Sequence, residues 1–199
     1  MASTEERAAR AGIVRCCSRL WDRRLVTGTS GNVSIRLDDG DVVVTPAATS
    51  LGELLEGDLV LVDAGGRPRD AALRPTSELQ LHLAAYQARS DARCVIHTHP
   101  TFCVVWSRTG RVFPQDTVGA RETLGRVGWV PYFPPGSAEL ARCCAQEFSG
   151  GNDTLLMERH GVSTLGPNLS HAFALTDLAE EAARIAYYAA LGGHPLGGT

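Results

Sequence analysis

Polar Ser3-Thr4-Glu5-Glu6, followed by Ala9, Ile13, Cys17 and Leu20 at helical spacing, predicts an amphipathic helix that opens with a capping box and runs to about Trp21. The period then falls to two. After the loop Gly28-Thr29-Ser30-Gly31-Asn32, residues Val33, Ile35 and Leu37 alternate with polar ones up to the turn Asp38-Asp39-Gly40, and Val42-Val43-Val44 returns as the partner strand. Leu59 to Val62 predicts another strand, ended by Ala64-Gly65-Gly66. Pro75-Thr76-Ser77-Glu78 opens a helix through about Ala88, and Arg93 to Thr98 reads as a buried strand. Between Ser107 and Gly128 the pattern breaks under Arg and Gly punctuation, which predicts an irregular excursion with one short strand. A helix from Ser137 through Phe148, a short apolar strand from Thr154 to Met157, and a long helix from Asn168 to Leu191, stopped by Gly192-Gly193, complete the chain.

An early hairpin and crossovers that are not uniformly strand-helix-strand point to an α/β fold with a mixed, largely antiparallel sheet sandwiched by helices. The 199 residues fit one domain, 1–199, with no internal repeat or low-complexity linker. An apolar fraction of 44% against 21% charged residues is enough to build a core. The formal net charge of -3 carries no basic excess for a phosphate backbone, so no nucleic-acid partner is expected. No apolar run approaches the roughly 20 residues that span a bilayer, and Glu5 and Glu6 sit where a signal peptide would be positive, so the expectation is a cytoplasmic protein without membrane contact. The six cysteines include two adjacent pairs, Cys16-Cys17 and Cys143-Cys144, and no CxxC. They read as reduced, small core or helix-face residues.

Candidate chemistry concentrates at His97 and His99, at the end of an apolar strand. Alternation puts residues two apart on one face, so both imidazoles can meet one ion. Taken alone, the pair reads equally well as two satisfied polar residues. His160, beside Gly161 at another strand end, offers a third donor, and three imidazoles suit zinc while leaving coordination positions open. Glu78, read as lying in the first turn of its helix beside Thr76 and Ser77, places a carboxylate near hydroxyls and amides that bind an anion. The Gly28–Asn32 loop reads either as a plain turn or as a nest of amides for the same anion. His82, one turn after Glu78, is a candidate to orient it, whereas His171 and His194 read as structural.

Gly28-Thr29-Ser30-Gly31-Asn32-Val33-Ser34, Thr45-Pro46, Pro75-Thr76-Ser77-Glu78, His97-Thr98-His99 and His160-Gly161, in this order and spacing, resemble the class II aldolase/adducin family over nearly the whole chain. The resemblance implies a three-layer α/β/α fold and a homotetramer with active sites at subunit interfaces. It implies Zn2+, or another divalent ion such as Mn2+, Co2+ or Fe2+, held by His97, His99 and His160. Glu78 would be a resting-state ligand that acts as acid/base, and Gly31, Asn32, Thr76 and Ser77 would hold the substrate phosphate. The implied reaction is cleavage of a phosphorylated ketose, of the L-fuculose 1-phosphate kind, to dihydroxyacetone phosphate and an aldehyde through a metal-stabilised enediolate. Epimerisation or dehydration of a sugar phosphate is an alternative on the same fold.

Two positions depart from the aldolase pattern. Ala47-Ala48 stands where the aldolases carry a hydroxyl residue and a glycine, and Thr117 stands where they carry a tyrosine. The run Thr45 to Gly52 and Val130-Pro131-Tyr132 resemble instead the branch that decarboxylates 3-oxo-tetronate 4-phosphates, sugar acids. Glu78 beside Ser77, where that branch often has lysine, favours aldol cleavage. Tyr187 and Tyr188 read either as core or interface residues of the long helix or as replacements for the missing phenol.

Overall fold

The computed structural model describes residues 2–194. Helix α1 (Thr4–Asp22) starts at Ser3, whose hydroxyl accepts from the Glu6 amide; the Glu6 carboxylate pairs with Arg10 one turn on. Strands β1 (Asn32–Arg36), β2 (Val42–Val44) and β3 (Val60–Val62) form an antiparallel meander around the Asp38–Gly40 turn. Helix α2 (Leu79–Ala88) leads to β4 (Cys94–Thr98), which crosses back to pair with β1.

Helix α3 (Thr101–Ser107) follows at once, then a π-type turn (Ala120–Leu124) and β5 (Val127–Val130). The excursion foreseen between Ser107 and Gly128 thus contains one turn of helix and ends in a strand. Thr101–Ser107 was not foreseen as a helix, because seven residues are too few for a 3.6-residue period to stand out. Helix α4 (Ala138–Ser149), capped by the Ser137 hydroxyl, strands β6 (Thr154–Met157) and β7 (Gly161–Gly166), and helix α5 (Leu169–Leu191), capped by Asn168, complete the described fold.

The seven strands lie in the order β3-β2-β1-β4-β7-β6-β5, and only β5 with β6 runs parallel. This is the mixed, largely antiparallel sheet that the pattern predicts. Alternation along each strand feeds two cores. Val44, Val62, Val95, Val130, Leu155 and Leu165 face α2 and α4, whereas Val33, Val43, Ile96, Leu156 and Val162 face α1, α3 and α5. A sheet between two helical layers results.

All six cysteines are free, five are buried and Cys143 is half-buried, and burial pushes the Cys16 thiol up to about 12, as expected of inert core residues. Among the described residues, no helix is long and apolar enough to cross a membrane.

Candidate metal centre

The site lies where β1, β4 and β7 end beside the start of α2. Asn32 on β1 is the cross-strand partner of His97 on β4, and His97 is in turn the partner of Ser163 on β7, so three central strands deliver their ends to one spot. Gly31 and Gly161 make the approach possible. Gly31 has φ of +84°, and a Cβ there would sit 3.1 Å from the His97 carbonyl oxygen. A Cβ on Gly161 would sit 2.1 Å from the Thr98 carbonyl oxygen and 2.8 Å from the His99 ring. The glycine after His160 therefore serves a strand-to-strand approach rather than contact with a bound group.

The three imidazoles meet: ring centroids are 4.8 Å apart for His97 with His99, 4.8 Å for His97 with His160, and 5.0 Å for His99 with His160. Glu78 completes the group, its Oε2 3.0 Å from His97 Nε2 and its Oε1 3.3 Å from His160 Nε2. Donor atoms of Glu78, His97, His99 and His160 all lie within 4.8 Å of one another. A tetrahedral zinc with bonds of about 2.1 Å needs neighbouring donors roughly 3.4 Å apart, which is this scale.

The donor chemistry fits a cation too. His97 Nδ1 donates to the Val162 carbonyl at 3.0 Å, which leaves Nε2 as the lone-pair nitrogen. That nitrogen faces His99 Nε2 at 2.9 Å and the Glu78 carboxylate, a cluster of acceptors that a shared positive ion reconciles. Glu78 Oε1 and both His160 nitrogens are buried without a hydrogen-bond partner, and coordination of one ion would satisfy Glu78 Oε1 and one of those nitrogens.

Electrostatics prepare the donors. Burial, reinforced by the neighbouring imidazoles of His97 and His160, pushes the His99 ring down to about 3, so at neutral pH it is neutral, the form that can coordinate a cation. Burial alone would raise the Glu78 carboxyl, but the imidazoles of His97 and His160 packed against it favour its ionised form more strongly and hold it well below the usual carboxylate range.

Glu78 is the N-cap residue of α2, one position before the first turn in which the sequence placed it. Its side chain makes no capping bond. The carboxylate turns instead to the imidazoles and to Asn32 Nδ2, 3.2 Å from Oε2. Thr76 is buried, its hydroxyl accepting from the Glu78 amide at 3.3 Å, and its own amide donates to Thr45 O at 3.0 Å. Ser77 is exposed between them. Asn32 at the start of β1, with Gly31 before it, and Thr76 and Ser77 in the loop before α2 thus lie on two segments that meet at Glu78.

His82 makes no hydrogen bond to Glu78; its Nε2 lies 2.6 Å from Asn32 Oδ1, so it acts on the carboxylate through Asn32. Its partner Ser34, itself bonded to Tyr86, continues a polar chain that sequence reasoning missed. The four-residue spacing of Glu78, His82 and Tyr86 was the available signal. Ala48, in the departure from the aldolase pattern, has φ of 55°, a backbone that favours glycine. Thr117 caps the π-type turn, its hydroxyl accepting from Ala120 N at 3.2 Å. Tyr187 and Tyr188 are exposed and stack with Phe102. His171 packs its ring on Gly166, and His194 is an exposed residue after α5.

A family model described as the Class II Aldolase and Adducin N-terminal domain matches residues 11–187. The chain is 36% identical over 172 residues to an L-fuculose phosphate aldolase from Methanococcus vannielii, covering 86% of this chain and 92% of that one. It is 30% identical over 196 residues to a 3-oxo-tetronate 4-phosphate decarboxylase from Escherichia coli, covering 96% and 91%. The crystal structure of YgbL from Escherichia coli superposes with a TM-score of 0.87 at 28% identity, covering 96% of this chain and 93% of that one.

Proposed function

This chain belongs to the class II aldolase and adducin family, and from that premise we propose that it is a metal-dependent lyase cleaving a phosphorylated ketose, of the L-fuculose 1-phosphate kind, to dihydroxyacetone phosphate and an aldehyde. The observation that carries this reading is the convergence of Glu78, His97, His99 and His160 donor atoms within 4.8 Å. His97, His99 and His160 hold the cation; three imidazoles suit zinc, with Mn2+, Co2+ or Fe2+ as other occupants. When bound, it supplies the localised positive charge that stabilises an oxyanion developing as the C3–C4 bond breaks.

The protein's own groups do the rest. Asn32 Nδ2, the Gly31 backbone and the hydroxyls of Thr76 and Ser77 hold the phosphate, turning remote binding energy into orientation of the reacting carbons. Glu78, kept ionised and adjacent to that pocket, takes and returns the proton at C3. Asn32 and Glu78 share a hydrogen bond, which keeps the acid/base and the anion donor in register.

The assembly inferred is a homotetramer with active sites between subunits. Support comes from large apolar side chains left in solvent: Trp129, Tyr132, Ile185, Tyr188 and Leu191 are each at least 36% exposed in the single chain.

Decarboxylation of a 3-oxo-tetronate 4-phosphate-like sugar acid is the second reading. It is favoured by Thr117, which carries no phenol to protonate an aldehyde oxygen and is spent as a cap, whereas decarboxylation needs no such acid. One experiment separates the two. Zinc-loaded protein is incubated with a panel of ketose 1-phosphates and of 3-oxo sugar-acid 4-phosphates, and dihydroxyacetone phosphate and carbon dioxide are assayed in parallel. Triose phosphate alone supports aldol cleavage, carbon dioxide alone supports the second reading, and neither product from any substrate sinks both.

A further inference from the structure

Behind Glu78 and Asn32 runs a buried chain of polar side chains, His82, Ser34 and Tyr86, that neither cation binding nor anion capture uses. Tyr86 Oη lies 2.7 Å from Ser34 Oγ, and Ser34 Oγ lies 2.7 Å from His82 Nδ1. His82 Nε2 lies 2.6 Å from Asn32 Oδ1, and Asn32 Nδ2 lies 3.2 Å from Glu78 Oε2. Ser34 and His82 are fully buried, and Asn32 and Tyr86 nearly so. The alignment has a simple origin. Glu78, His82 and Tyr86 recur every four residues along α2, about 6 Å per step, and Asn32 and Ser34 are two apart on β1, about 7 Å. The two ladders stay in step for the length of the chain of contacts.

Donor and acceptor inventory gives this chain one direction. An ionised Glu78 only accepts, so the group of Asn32 facing it is the NH2. Asn32 Oδ1 then faces His82, whose Nε2 must carry the hydrogen. His82 Nδ1 is left with a lone pair and accepts from the Ser34 hydroxyl, and Ser34 Oγ in turn accepts from Tyr86. Reversing the order would turn the Asn32 carbonyl onto the Glu78 carboxylate, two acceptors in contact in a buried place.

We infer that His82 is a positioning residue: with Ser34 and Tyr86 behind it, its Nε2–H tautomer locks the Asn32 amide so that one N–H meets Glu78 and the other is presented to the substrate's phosphate. This rests on the reading of Asn32 as an anion donor. A turned amide would offer oxygen to the anion instead. Burial, with the nearby His97 imidazole second, pushes the His82 ring down to about 3, against a smaller opposing effect of Glu78, so the ring stays neutral and the direction holds at neutral pH.

The test titrates inorganic phosphate by calorimetry into zinc-loaded wild type, His82→Leu, His82→Gln and Ser34→Ala, with zinc content measured for each. His82→Leu is expected to bind phosphate about tenfold more weakly while keeping its zinc. His82→Gln, whose amide can donate to Asn32 and accept from Ser34, should recover most of that loss. Equal weakening in the Leu and Gln variants, or unchanged affinity in a folded His82→Leu, overturns the inference. If His82→Leu does not fold, Ser34→Ala decides: about threefold weakening supports it and no change overturns it. In 15N-histidine-labelled wild type the His82 ring should show the Nε2–H tautomer, and an Nδ1–H signal overturns it. A wild type that takes up zinc but no phosphate instead overturns the anion-pocket reading on which the inference stands.

Discussion

His97 is the most constrained of the candidate ligands, because its Nδ1–H is spent on the Val162 carbonyl and its ring is fully buried. His97→Ala removes a donor that no rotamer of a neighbour replaces, and zinc affinity should fall by more than about a hundredfold, with turnover falling alongside. Metal analysis after dialysis against a weak chelator reads this, and a variant retaining both metal and turnover defeats the assignment. At Ala48 the expected change has the opposite sign. Its φ of 55° costs a residue with a Cβ about 1 kcal/mol, so Ala48→Gly should raise stability by up to that amount, less the extra entropy of an unfolded glycine. Urea denaturation decides it.

His82 gives a pH dependence. Its folded value of about 3 lies below the ordinary value of 6.5, so between those limits the unfolded chain binds a proton that the folded one does not. Stability is undiminished by this group above the unfolded value and falls as the solution is acidified, by about 1.4 kcal/mol per pH unit toward pH 3. In metal-free protein, denaturation midpoints at pH 7, 5 and 4 should therefore converge between wild type and His82→Gln as acid is added. Parallel curves would mean that the ring is protonated in the fold.

At the scale of elements, Glu180 ties two helices to the site. From α5 its carboxylate accepts from Phe102 N at 3.0 Å and Cys103 N at 2.9 Å, the amides that open α3 directly after His99-Pro100. Burial raises its carboxyl, an effect that those two amides partly offset. Glu180→Ala leaves both amides without an acceptor and is expected to cost about 1–2 kcal/mol, with a lower melting temperature, while Glu180→Gln, which keeps one acceptor, loses less. No sequence pattern announced this contact, since 77 residues separate Cys103 from Glu180. What the sequence did announce were features with a local signature. The period-two run before Asp38-Asp39-Gly40, the capping serines Ser3 and Ser137, and the two-residue spacing of His97 and His99 each follow from bond geometry within a few residues. Strand β7 escaped because Gly161-Val162-Ser163-Thr164-Leu165-Gly166 is buried on both faces, so its polar residues do not alternate with solvent. Its absence hid the reason that His160 reaches His97. The meeting of the three histidines was legible only in the combination of motifs; the N-cap position of Glu78 and the contact of His82 with Asn32 depend on how α2 docks against β1, which no local pattern encodes.

For the whole molecule, the distribution of exposed apolar surface is the outstanding physical fact. Ile185, Tyr187, Tyr188 and Leu191 remain in solvent toward the end of α5, with Tyr187 and Tyr188 packed at a tilt against Phe102 at ring separations of 5.4 Å and 5.7 Å. Phe102 lies three residues beyond His99, so this aromatic group adjoins the segment that carries a candidate ligand. Burying such a patch removes apolar area from water at about 25 cal/mol per Å2, and a charge placed in it would have to be desolvated on assembly. Tyr188→Glu is therefore expected to leave the circular dichroism spectrum intact while shifting the mass measured by light scattering from four chains toward smaller species. Because the active sites are inferred to lie between subunits, turnover per chain should fall in the same variant and recover as protein concentration is raised. A wild type that is monomeric at all concentrations, or a Tyr188→Glu variant that is tetrameric and fully active, rules out this face as the contact. A dissociated variant that keeps full activity would instead confine the working site to residues of one chain, among them Glu78, His97, His99 and His160.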